Sequence, residues 1–150
     1  MIDDNPRSTA RVPGPSFYAA LVQFPIVCFF GTLLTDLAYW KTAEFLWVSF
    51  SVWLLAFGLV MAGLAFLAGL VDLARRRRVR FLGFSWVQIL GQLVAALLSL
   101  LNVFVHSRDG YTAVVPEGLL LSALVVLILL VTGWVGTSMA YRTTRVGVTY

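Results

Sequence analysis

Four long stretches without an ionised side chain constrain this chain more than any other feature. Nothing charged at neutral pH occurs at residues 12–35, 45–71, 81–107 or 118–141. Each stretch exceeds the roughly 20 residues that an α-helix, rising about 1.5 Å per residue, needs to cross about 30 Å of hydrocarbon. With hydrophobic residues at 60% and charged ones at 12%, too few polar side chains remain to cover a water-soluble globule. A transmembrane β-barrel would instead show segments of about ten residues alternating apolar and polar, and SALVVLILLV does not alternate. The expected fold is all-α: an integral membrane, up-down four-helix bundle with spans at about 16–40, 43–73, 81–106 and 117–141. A short mobile arm (1–15) precedes it and a tail (142–150) follows.

Arginine sets the expected orientation. Arg7, Arg11, Arg75, Arg76, Arg77, Arg78, Arg80, Arg142 and Arg145 fall on one side of a four-span topology, against Lys41 and Arg108 on the other. The positive-inside bias makes that side cytoplasmic and both termini cytoplasmic, in a bacterial cytoplasmic (inner) membrane. The run Arg75 to Arg80 should attract anionic lipid headgroups, at about 1 kcal/mol per basic residue. A short loop clamped between two spans can hardly approach a duplex groove, so no nucleic-acid partner is expected. Asp72 is spaced to pair with Arg75 or Arg76. The first residues, MIDDNPRSTARVPGPS, carry two aspartates and do not resemble a cleavable signal. Cys28 has no second cysteine to pair with.

The third span is the unusual one. Gln88, Gln92, Ala95, Ser99, Asn102 and His106 are spaced by four, three, four, three and four. On a helix turning about 100° per residue they lie within about 40° of one line, a stripe about 27 Å long. Amides and an imidazole facing acyl chains would have no hydrogen-bond partners, so the stripe must face the bundle. Two readings stand: interhelical hydrogen bonding and close packing, or the lining of a route or pocket for protons, small solutes, quinone or a cofactor. Small residues support close packing: Gly58, Ala62, Ala65 and Gly69 on the second span, Gly91 on the third itself, and Gly133, Gly136 and Ala140 on the fourth. Asp36, one turn inside Trp40, is costly in a membrane unless paired, protonated or wetted. Its candidate partners are His106 and Arg108, the alternative being an interfacial carboxylate capping local backbone. Phe45, Trp47, Phe50, Trp53 and Phe57 crowd the outer half of the second span, either as lipid-facing anchors or as a surface for a partner subunit or a pigment-like ring.

Catalytic constellations are missing. One histidine, one cysteine and scattered carboxylates make no His-Cys metal cluster, and no nucleophile has an evident base beside it, so no enzyme, metal or resident cofactor is expected. GLAFLAG follows no strand and reads as helix packing rather than a nucleotide loop.

LVQFPI at 21–26, Asp36, GLVD at 69–72, GWVG at 133–136, Tyr141-Arg142 and VGV at 146–148 together resemble the bacterial four-helix membrane family known as domain of unknown function 2231. The resemblance runs from about Pro15 onward. It implies a four-span inner-membrane protein in which Asp36 and Asp72 belong to the family pattern. Members of that family sometimes accompany periplasmic redox modules, which implies an accessory or anchoring subunit of a larger electron-transfer complex. Many relatives carry histidine where this chain has Gln23, Gln88 or Gln92, and Thr143. Bis-histidine haem is therefore excluded within one subunit, leaving a single axial His106, or His106 paired across a dimer, as the only haem reading. The expected role is a non-enzymatic accessory subunit that meets lipids and other membrane subunits. The alternatives are a proton or small-solute pathway along Asp36, Gln88, Gln92, Asn102 and His106, and a quinone- or haem-binding protein.

Overall fold

The computed structural model of the chain describes residues 20–75, 86–108 and 114–146. Among the described residues four helices make up the fold: α1 (Gln23–Thr42), α2 (Phe45–Arg75), α3 (Trp86–Ser107) and α4 (Leu119–Val146), the last preceded by a short segment, Val114–Gly118. Among the described residues there is no strand. Each helix packs on its neighbours in sequence, and α4 closes the ring against α1.

Local chemistry explains where the helices stop. Pro25 occupies the third position of α1, where its missing N–H leaves no helical bond unmade. At the other end Ala43 turns left-handed (φ 55°) and its N–H donates to Tyr39 O at 2.8 Å, closing α1. Thr42 Oγ1 accepts the Glu44 N–H, and α2 starts at Phe45. So tight a turn forces α1 and α2 to run antiparallel. Val115 is extended (φ −118°, ψ 126°) and interrupts helical geometry just before α4.

Among the described residues three helices, α2, α3 and α4, are long and apolar enough to cross a membrane. α1 is about 30 Å long, sufficient for the hydrocarbon, but Gln23, Thr32, Thr35 and Asp36 dilute its apolar composition. The helix limits also shift from those expected. α1 runs past 40 to Thr42, α2 past 73 to Arg75, and α4 starts at Leu119 and continues beyond 141 to Val146. The arm 1–15 and the arginines from Arg76 to Arg80 lie outside the described residues, as do the side chains of Asp72, Arg75 and Ala140.

The molecule is apolar outside and partly polar inside. Thr32, Asp36, Ser51, Ser99, Asn102, His106, Ser122 and Thr132 are all buried, while Trp53 and Trp134 are 71% and 78% exposed. Such an arrangement suits hydrocarbon as the surrounding solvent. The apolar centre is the cluster of Phe29, Leu55, Ala95 and Val125. Where helices come closest, glycine permits it. A Cβ on Gly58 would lie 2.8 Å from the Phe29 ring, one on Gly91 2.0 Å from Thr132 Cγ2, and one on Gly136 2.9 Å from Gln88 Oε1. Ala65 is buried, and Ala62 and Gly69 are half-buried. On α4 it is Gly136 that Gln88 of α3 approaches; a Cβ on Gly133, three residues earlier and half-buried, would meet no atom within 4 Å outside its own helix backbone.

Candidate functional site

All four helices bring polar side chains to the end of the bundle that carries the 43–44 turn. Asp36 sits one and a half turns before the end of α1, Ser51 two turns into α2, His106 in the last turn of α3 and Ser122 in the first turn of α4. Alternating helix direction places these positions at one depth.

Asp36 is fully buried and accepts from three elements at once. Ser51 Oγ donates to Oδ1 at 2.5 Å, His106 Nε2 lies 2.9 Å from the same oxygen, and Ser122 Oγ donates to Oδ2 at 2.5 Å. Asn102 Nδ2 in turn donates to Ser122 Oγ at 2.8 Å. Asn102 also faces the histidine: its backbone oxygen lies 3.0 Å and its Oδ1 3.1 Å from His106 Nδ1. Thr35 Oγ1 lies 2.6 Å from Ser51 Oγ. A carboxylate out of water needs such partners, since each lone pair left bare would cost about 1–3 kcal/mol or more.

The segment Val114–Gly118 packs on α1, α3 and α4 over this cluster. Val114 is fully buried. Gly118 lies against the imidazole, where a Cβ would come within 2.8 Å of His106 Cε1. Outside the lid, Arg108 Nη2 donates to Glu117 Oε2 at 3.1 Å, with both side chains more than half exposed. Asp36 therefore pairs with His106, while Arg108 has an ion pair of its own. An exposed pair contributes at most about 1 kcal/mol. Arg108→Ala should shift the unfolding midpoint little, and added salt should shrink even that difference; a large drop would mean that the lid depends on this pair.

The expected stripe on α3 is oriented as its spacing required. Ala95, Ser99, Asn102 and His106 are buried and Gln88 and Gln92 half-buried, whereas Leu90, Leu93, Val94, Leu97, Leu101 and Phe104 are exposed. The stripe does not act as one unit. Asn102 and His106 belong to the Asp36 cluster, Gln88 packs by Gly136 at the opposite end, and Ser99 Oγ is buried with no hydrogen-bond partner among the described residues. Sequence reasoning missed Ser51, Ser122, Thr35 and Gly118. The available signal was weak: in the apolar starts of α2 and α4, a serine lies one turn before Leu55 and Val126, on the face that turns inward.

Apolar side chains outward and a carboxylate–imidazole pair held inward by four helices define an integral membrane four-helix bundle. The chain belongs to the predicted membrane protein family DUF2231, whose family model matches residues 14–149. No curated protein and no solved structure matches it.

Proposed function

We propose that this chain is a non-enzymatic accessory or anchoring subunit of a larger membrane complex, of the electron-transfer kind that the family resemblance implies. The observation that carries this reading is how the interior is used. Its polar groups bond chiefly to one another, and side chains fill the close approaches at Gly58, Gly91 and Gly136. What is left for action is the outer surface, where Phe45, Phe50, Trp53 and Phe57 on α2 and Trp134 on α4 are exposed. Transmembrane partners associate through packing of such faces. The arginine distribution supports a bacterial cytoplasmic membrane with both termini cytoplasmic. His106 has both ring nitrogens engaged, by Asp36 and by Asn102, which favours a chain without haem at that residue.

Purification from native membranes without overexpression tests the proposal. Larger membrane subunits should travel with the chain, and redox absorbance should follow those subunits rather than the isolated bundle. Recovery of the chain only as a monomer or homodimer would overturn it.

A further inference from the structure

We propose that Asp36 and His106 form a proton-binding site that opens to only one side of the membrane, the side of the 43–44 turn.

The proton count follows from the geometry. Ser122 has one hydroxyl hydrogen and gives it to Asp36 Oδ2, so its oxygen needs a donor from Asn102. That requirement orients the amide with Nδ2 toward Ser122 and Oδ1 toward His106. Nδ1 of the imidazole then faces two acceptors, Asn102 O and Asn102 Oδ1, and must carry hydrogen. Nε2 faces the Asp36 carboxyl oxygen at 2.9 Å. With Nδ1 protonated, a bare Nε2 lone pair against a bare carboxylate would be repulsive, so one proton lies between them. Imidazolium with carboxylate, and imidazole with carboxylic acid, are two descriptions of that count. Both leave the pair without net charge, the least costly state for two titratable groups out of water.

Among the described residues, the surroundings leave this proton to the pair. α1 adds Tyr39, half-buried, and Lys41, which is exposed above the Trp40 ring. α2 presents Ser51, with Glu44 exposed before its start, and the described side chains of α4 carry no charge. Arg108 from the end of α3 and Glu117 from the covering segment meet each other outside.

One-sidedness follows from what lies inward. Below Asn102 the next polar group on α3 is Ser99, whose oxygen has no hydrogen-bond partner among the described residues. The apolar cluster of Phe29, Leu55, Ala95 and Val125 then fills the bundle. Among the described residues that layer is built of apolar side chains with no hydrogen-bonded relay through it, whereas toward the turn side the short segment Val114–Gly118 covers the pair. The site therefore binds and releases a proton without conducting it.

The chain has a single histidine, so ring-¹⁵N histidine labelling reports this residue alone. The full-length protein is reconstituted in lipid vesicles, and its facing is read from modification of Lys41, the sole lysine, by an impermeant amine reagent. At neutral pH, Nδ1 should be protonated and Nε2 should show a shared proton. Raising the pH on the Lys41 side should remove the Nε2 signal, raising it on the opposite side should leave the spectrum unchanged, and an imposed pH gradient should decay no faster than in empty vesicles. Asp36→Asn should abolish the shared-proton signal, and Ser122→Ala, which keeps both members of the pair, should retain it. A bare Nε2 at neutral pH, a spectrum that follows the opposite compartment or neither, or protein-dependent gradient decay would each overturn the proposal.

Discussion

Asp36→Ala should be the most damaging single substitution in the bundle. It strips the common acceptor from Ser51, Ser122 and His106, all of them buried. Removing one member of a buried pair costs about 3–5 kcal/mol, because the other is left uncompensated. Asp36→Asn should cost less: the amide keeps one oxygen to accept from a serine, while its NH₂ must face a group that also donates. Unfolding in mixed detergent micelles, followed by helical circular dichroism, measures both. The expected order is wild type, then Asn, then Ala, with Ala losing most of the midpoint. A loss below about 1 kcal/mol for Ala would show that the cluster is not buried as described.

A pair of glycine-to-alanine changes on facing helices should move stability in opposite directions. At Gly91 the added methyl would fall 2.0 Å from Thr132 Cγ2 and 2.9 Å from its Cβ. Thr132 cannot swing aside cheaply, since it is β-branched and its hydroxyl donates to Ile128 O at 2.7 Å. α3 and α4 must separate, at a cost of about 1–3 kcal/mol for an overpacked site. Gly133→Ala meets open space and gains helix propensity of up to about 1 kcal/mol. Gly91→Ala combined with Thr132→Ala should recover part of the loss, because the Cγ2 contact disappears and the Cβ contact remains. Equal effects at positions 91 and 133 would refute the interhelical contact.

These contrasts mark what could be read from sequence and what could not. Charge-free runs specify helices because lipid leaves the backbone no other partner, so the number and approximate position of the spans are local properties. The direction of the α3 stripe follows for the same reason. The pairing of Asp36 with His106 instead of Arg108 depends on how the end of α3 rotates toward α1, which no single helix encodes. Ser51 and Ser122 carry no distinctive signal because serine is common at ordinary helix contacts, and only a shared depth reveals them as donors. Which glycine of GWVG lets a side chain of α3 approach could not be read, because the two lie on adjoining faces and the rotation of α4 puts Gly136 against Gln88. The left-handed Ala43 also escaped notice, since alanine seldom takes a conformation that favours glycine.

The three-way sharing of the Asp36 carboxylate bears on biosynthesis. α1, which carries the acidic group, is synthesised before the other three helices, and α2 supplies only one hydroxyl to it. The imidazole and the other serine belong to α3 and α4, made later. Until those arrive, a half-inserted chain holds an acid against lipid with most of its partners still untranslated, and completion of the α3–α4 hairpin is the event that commits α1 to its place.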